Sequence, residues 1–161
     1  MLETGALAPH FTLLGIDGRE YSLPNDLSGQ PALLVFFKTT CETCDVAFPY
    51  LNKLREAYPD GWHIWAIAQD PPDKARAYAE RHGITYPVLV DAPAYDVSLL
   101  YDPEATPSIF LLDAKGRTEI DVYGFAKDDM NEFSKRIAAA VGAEPVVVAP
   151  NDDGGPSFKP G

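Results

Sequence analysis

The residues best suited to do chemistry in this sequence are its two cysteines, Cys41 and Cys44, which are separated by Glu42 and Thr43. Two thiols at this spacing can form a disulfide with each other and exchange it with a disulfide of another molecule. The attacking species in that exchange is a thiolate, so the surroundings must stabilise a negative sulfur. The reactivity of the pair therefore depends on the structural element that carries it.

The cysteine pair lies where an apolar strand gives way to an amphipathic helix. Residues 31–37 are apolar on both faces, as expected for a central strand covered by helices. Residues 41–58 carry apolar side chains at spacings of three and four, which predicts a helix that Pro49 should kink. Cys41 would then lie at the helix N-terminus, where free N–H groups and the helix dipole favour a thiolate. We predict that Cys41 attacks a target disulfide and that Cys44 resolves the mixed disulfide.

Charged and polar neighbours should modify that reactivity. Lys38 would stabilise a thiolate on the first cysteine if it points inward, whereas Glu42 and Asp45 would oppose one. A less stabilised thiolate stabilises the reduced form less, which predicts a better reductant than an oxidant such as DsbA. Thr40 and Thr43 complete the set of residues expected to support the pair.

Charge and composition exclude several function classes. The chain has 161 residues and a formal net charge of −11, from 24 acidic and 13 basic side chains. This balance argues against binding to nucleic acid or to an anionic membrane, because both require a basic surface. The three histidines lie far apart and do not have the spacing of metal ligands, so we expect no metal site.

The N-terminal residues do not have the pattern of a signal peptide, and this bears on where the protein is located. No basic segment followed by a long apolar run is found there, and no stretch approaches the ~18 apolar residues of a membrane span. These features predict a cytoplasmic protein. A periplasmic location is the alternative if an export signal was removed.

Strand-like and helix-like segments alternate along the chain, which predicts an α/β fold. Residues 9–23 are expected to form a hairpin around the turn Asp17-Gly18. We predict one domain over residues 1–143 and a flexible tail over residues 144–161, where Pro, Gly and Asp are frequent. The further predicted strands are 31–37, 62–68, 86–90, 108–112 and 118–123, and the predicted helices are 41–58, 71–82, 95–101 and 127–141.

Four segments carry a resemblance to a known family. They are the opening segment Ala8-Pro9-His10-Phe11-Thr12-Leu13, the strand Leu33–Lys38, the helix proline Pro49, and Ala105-Thr106-Pro107-Ser108. Together with the cysteine pair, they resemble the thioredoxin superfamily, especially the TlpA-like and peroxiredoxin-like (AhpC/TSA-type) redoxins. The resemblance covers about residues 5–141.

The resemblance implies a fold, a reaction and partners. The fold would be thioredoxin-like, with a central mixed β-sheet flanked by helices and an N-terminal β-hairpin extension. Pro107 would follow a cis peptide bond and lie beside the cysteines, and Thr106 would offer its backbone to an extended substrate. The protein would act as a monomer on protein disulfides or thiols, with a thiol reductant and no cofactor except its own Cys41–Cys44 disulfide.

The sequence also departs from that family. Thioredoxin has a buried aspartate in the central strand where this chain has Val35, and TlpA-like reductases often have a glutamate where it has Ala47. The proton acceptor for Cys44 is therefore open, with water, Glu42 or a distant carboxylate as candidates. The usual tryptophan before the first cysteine is replaced by Thr39-Thr40.

Three functions are compatible with these residues. The first is a thiol–disulfide oxidoreductase that reduces protein disulfides. The second is a peroxiredoxin-like peroxidase with Cys41 as peroxidatic cysteine, although Lys38 stands where peroxiredoxins place a threonine. The third is a binding or chaperone-like module without catalysis on the same fold.

Overall fold

A seven-stranded mixed sheet forms the centre of the computed structural model, which describes residues 1–161. The strand order is β2-β1-β5-β4-β3-β6-β7, and a separate two-stranded sheet pairs β8 with β9. The strands are β1 (Phe11–Gly15), β2 (Glu20–Leu23), β3 (Ala32–Phe37), β4 (His63–Ala68), β5 (Val88–Val90), β6 (Ser108–Leu112), β7 (Thr118–Tyr123), β8 (Phe125–Ala126) and β9 (Phe158–Lys159). The helices are α1 (Glu42–Ala57), α2 (Pro72–Arg81), α3 (Asp96–Tyr101) and α4 (Lys127–Val141).

Strand β3 lies in the middle of the sheet because both of its faces are apolar. It runs parallel to β4 and antiparallel to β6, and all six of its residues are buried. Leu33, Val35 and Phe37 pack with α1 and α4, whereas Leu34 and Phe36 pack with the hairpin and α3 on the other face. This architecture confirms the predicted α/β class with a central mixed sheet between helices.

The N-terminal hairpin and the helices follow the predicted pattern with two differences. The hairpin strands β1 and β2 pair as expected, but β1 also pairs with β5, so the hairpin forms one edge of the main sheet. Helix α1 continues through Pro49 to Ala57, and the kink at Pro49 stays a prediction. None of the helices combines the length and the apolar character needed to cross a membrane.

The segment Val146–Gly161, which we call the C-terminal strap, covers most of the predicted flexible tail. Val148 and Ala149 are buried in the core, and the Val146 N–H donates to the Tyr58 hydroxyl at 2.7 Å. Further along the strap, β9 pairs antiparallel with β8. These contacts join residues that are distant in sequence, so the local composition used for the prediction could not reveal them. The strap packs against the same folded unit, and its flexibility stays a prediction.

Candidate active site

The two cysteines lie at the N-terminus of α1 and form a disulfide in the structure, with their Cα atoms 5.2 Å apart. Cys41 is the N-cap residue, and its Sγ accepts a hydrogen bond from the Cys44 N–H at 3.0 Å. Cys44 is fully buried, whereas Cys41 is half-buried. Cys41 is therefore the sulfur that another molecule can reach, and a donor of α1 already points at it.

The proline loop faces the exposed cysteine from the other side. The peptide bond between Thr106 and Pro107 is cis, as the resemblance implies. The Thr106 carbonyl oxygen lies 3.3 Å from the Cys41 Sγ atom. An extended chain that paired with the backbone here would place its own sulfur beside Cys41.

The loop that leads into the cysteines is held by a contact that the sequence analysis missed. The Thr39 N–H donates to the Asp70 carboxylate at 2.8 Å, and Asp70 follows β4 at the same sheet edge at which β3 ends. Its position two residues after the buried strand β4 was the available signal. The structure leaves Lys38 and Thr40 exposed, so the predicted effect of Lys38 on a thiolate stays a prediction.

The two positions that carry an acid in related redoxins are apolar and sealed in this chain. Val35 and Ala47 are both fully buried. The Asp45 carboxylate, which follows Cys44 in sequence, accepts a hydrogen bond from the Tyr78 hydroxyl at 2.8 Å and lies 3.4 Å from His82 Nε2. Burial, followed by this hydrogen bond, raises the pKa of Tyr78, so Tyr78 stays protonated as the donor.

Of the other predicted supporting residues, Thr43 is buried and Glu42 is exposed. The Thr43 hydroxyl donates to the Pro160 carbonyl oxygen of the strap at 2.6 Å. Glu42 extends into solvent and lies 4.0 Å from the Lys159 ammonium group. The strap thus reaches the cysteine motif itself, which the sequence analysis did not anticipate.

A polar cluster fastens the strap beside this site. The buried Lys127 ammonium group binds the Asp153 carboxylate at 2.6 Å, and the Tyr50 hydroxyl donates to the same carboxylate at 2.6 Å. The hydrogen bond from Lys127, then those from Tyr50 and the Gly155 N–H, holds the pKa of Asp153 well below its usual value of 3.8. Burial, followed by the hydrogen bond to Asp153, raises the pKa of Tyr50 to about 12. At neutral pH Asp153 is therefore the charged acceptor and Tyr50 the protonated donor.

No group of three or more His, Cys, Asp or Glu side chains is gathered closely enough to hold a metal ion. The chemistry that the cysteine site can perform is that of its two sulfurs. One sulfur can be attacked or can attack, and the other can complete the exchange from inside the protein.

Comparisons with known proteins agree with this geometry. The model of the AhpC/TSA family matches residues 4–119, which include the cysteines and the proline loop. The thiol–disulfide oxidoreductase ResA of Geobacillus thermodenitrificans is 32% identical over 136 residues, which cover 83% of this chain and 77% of ResA.

Solved structures give the same result. The thioredoxin domain of a thiol–disulfide oxidoreductase from Bacteroides vulgatus is 26% identical with a TM-score of 0.75, and the match covers 84% of this chain and 98% of that domain. A secreted disulfide oxidoreductase of Mycobacterium tuberculosis has a TM-score of 0.67 at 22% identity, over 80% of this chain and 95% of its own, and shows the shared fold.

Proposed function

The chain belongs to the AhpC/TSA family and is a thiol–disulfide oxidoreductase, and on that premise we propose that it reduces the disulfides of protein substrates. One observation carries the proposal. The half-buried Cys41 lies between the N-terminus of α1 and the Thr106 carbonyl, while its disulfide partner Cys44 is sealed below. A client can therefore meet only one of the two sulfurs, which gives the two cysteines different tasks.

The reaction begins from the dithiol form. The Cys41 thiolate attacks one sulfur of the client disulfide, so the client S–S bond breaks and its second sulfur leaves as a thiolate that takes up a proton. The Cys44 thiolate then attacks the Cys41 sulfur in the mixed disulfide and releases the first client sulfur. Two electrons pass to the client, and the Cys41–Cys44 disulfide remains on the enzyme. An external thiol reductant returns that disulfide to the dithiol.

The arrangement around Cys41 supports its role as the attacking group. The Cys44 N–H that donates to the sulfur at 3.0 Å favours a negative charge there, as does the N-terminal end of the α1 dipole. With Val35 and Ala47 apolar, the proton of Cys44 has no carboxylate acceptor at either position. We propose that the enzyme acts as a monomer without a cofactor beyond its own disulfide.

We also propose a location outside the cytoplasm, in place of the cytoplasmic location predicted from the sequence. Protein disulfides, the proposed substrates, persist mainly in oxidising compartments such as the periplasm. The related fold from M. tuberculosis belongs to an oxidoreductase described as secreted. Fractionation of the source cells tests this part: the native protein should leave with periplasmic or secreted markers, and recovery with cytoplasmic markers would contradict it.

Reduction of insulin by dithiothreitol tests the proposed activity. Wild type should accelerate the precipitation of reduced insulin, and Cys41→Ser should give only the uncatalysed rate. Equal rates for the two proteins would defeat the proposal.

No observation favours the peroxidase alternative, because an exposed lysine, Lys38, stands at the position of the peroxiredoxin threonine. Reduced wild type should therefore consume hydrogen peroxide no faster than a free thiol does.

A further inference from the structure

The end of the C-terminal strap runs along a short groove beside the cysteines. The floor of this groove is the edge of β8, whose residues Phe125 and Ala126 pair antiparallel with Lys159 and Phe158 of the strap. The Lys127 N–H extends the ladder by donating to the Ser157 carbonyl oxygen at 2.9 Å. The strap is therefore bound here through its backbone, in the manner of an added β-strand.

The next strap residues contact the active site. The Pro160 carbonyl oxygen accepts the hydrogen bond from Thr43, which lies between the two cysteines. Gly161 lies so close to the proline loop that a Cβ atom there would be 2.8 Å from the Ala105 Cβ and 3.1 Å from the Thr106 oxygen. That oxygen is the one that faces the Cys41 sulfur.

A glycine in the wall of the groove, Gly124, shows how closely the strap backbone approaches the rest of the protein. Gly124 has a φ of +76°, and a Cβ atom at this position would lie 3.0 Å from both the Gly161 nitrogen and the Lys159 oxygen. Contacts of this kind would force the strap to move. The groove is thus shaped to admit another backbone at close range.

The strap is held unequally along its length. Its first part is fixed by the buried Val148 and Ala149 and by the pair between Asp153 and Lys127, whose side chain is only 3% exposed. Its end has little apolar burial, since Phe158 is 65% exposed, and depends on the short backbone ladder and the Thr43 hydrogen bond. Exposed backbone bonds with few apolar contacts open at low free-energy cost. The end can therefore leave the groove while the anchor stays in place.

We propose that residues 157–161 are an autoinhibitory segment, which occupies the site at which an extended client segment docks beside the proline loop until the client displaces it. The proposal rests on the proposed reductase function. The client segment would pair with the β8 edge, accept the Thr43 hydrogen bond through a carbonyl oxygen, and place a small residue against Thr106. The strap then competes with every large substrate, whereas a small disulfide needs only the Cys41 sulfur and not the groove.

The Gly161→Val variant tests the proposal, because its Cβ atom would collide with Ala105 and the Thr106 oxygen. The kcat/KM for insulin should rise about fivefold, since the exposed hydrogen bonds that hold the docked end give it a small net stability and its release raises the fraction of open groove. The rate with 2-hydroxyethyl disulfide should change less than twofold. Val147→Ala, in an exposed part of the strap, is the matched control and should behave as wild type.

A synthetic peptide of residues 151–161 provides the reverse experiment. Added to Gly161→Val, it should lower the insulin rate towards the wild-type value and leave the small disulfide unaffected. Hydrogen exchange at the Lys127 amide reports whether the strap has left, because this amide bonds to Ser157 in the docked state. If that amide stays protected in Gly161→Val, the strap has not left the groove. The insulin and small-disulfide rates of wild type are then compared with those of Asp153→Ala, which removes the ion pair that anchors the strap.

The outcomes separate the two proposals. Insulin reduction that is equal in wild type and in the variant with the released strap would overturn the autoinhibitory role of the strap alone. So would equal acceleration of both substrates, since that would mean the strap affects the sulfur chemistry rather than docking. Absence of insulin reduction above the Cys41→Ser background in every variant would instead overturn the reductase function.

Discussion

Two regions meet at the cysteine site, and they are stabilised in different ways. The N-terminal turn of α1 holds Cys41 through a hydrogen bond from a residue three positions away, the Cys44 N–H. The strap reaches the same place through contacts between residues far apart in sequence, such as Thr43 with Pro160. The comparison shows that the reaction is encoded locally, whereas access to it is encoded by long-range packing.

Their interiors differ as well. In α1, Phe48 is fully buried, and its ring packs edge to face against Phe37 with a centroid distance of 5.0 Å. The strap buries the small side chains of Val148 and Ala149 and is otherwise attached by polar contacts, among them the ion pair between Asp153 and Lys127 and the backbone ladder with β8. Loss of the helix contacts should therefore lower the stability of the whole domain. Loss of the strap contacts should detach only that segment.

The largest expected effect is chemical and lies in the α1 region. Cys44→Ser removes the resolving thiol, so each enzyme molecule should stop at the mixed disulfide, and turnover should fall by at least ~10³-fold. Non-reducing gels and intact mass should show Cys41 bound covalently to the client. Cys41→Ser is the control and should give no adduct, and an adduct of equal yield in both variants would remove the distinction between the two sulfurs.

A pair of core truncations tests the energetic side of the comparison. Phe48→Ala should lower the free energy of unfolding by about 3–5 kcal/mol, because it opens a cavity under α1. Val148→Ala should lower it by only about 1.5 kcal/mol, which corresponds to two methyl-sized groups. Urea denaturation measures both values, and a larger loss in the strap variant would reverse the ranking.

The anchor should depend on pH in a defined direction. Because the pKa of Asp153 is held below 3.8 in the folded protein, its carboxylate stabilises the fold above that pH, and the contribution is lost as the pH falls through the lowered value. The stability difference between wild type and Asp153→Asn should be constant above about pH 5 and shrink below about pH 4. Acid titrations followed by circular dichroism measure it. Asp152→Asn, at the exposed neighbour, is the control, and a difference that grows in acid would contradict the assignment.

The smallest effect concerns the link between the two regions. Thr43→Val keeps the volume of the side chain but removes the hydrogen bond to Pro160, which should weaken docking of the strap end by about 1 kcal/mol. Exchange of the Lys127 amide should then become about fivefold faster. Thr40→Val, at an exposed position, is the control. Equal exchange in the two variants would show that Thr43 does not hold the strap.

Sequence reasoning reached the parts of this molecule that local patterns encode. The cysteine pair was identified because the strand–helix junction that carries it lies within a few residues, and the Thr106-Pro107 loop was identified from its resemblance to the redoxins. The packing of residues 146–161 was not, since that stretch has neither helical nor strand periodicity and is held by partners elsewhere. The contact of Asp70 with Thr39 was missed for the same reason. Lys38 illustrates a third case, in which a side chain can be named from sequence but its direction cannot.

The short ladder between β8 and β9 has a consequence for solubility. When a client replaces the strap, the edge of β8 changes partners, and between the two states it stands open to any other chain. Open strand edges promote association between copies and aggregation, and proteins limit the danger by keeping such edges short. Strand β8 has two residues, Phe125 and Ala126. Its brevity allows the groove to open in each cycle without offering an edge long enough to seed a larger sheet.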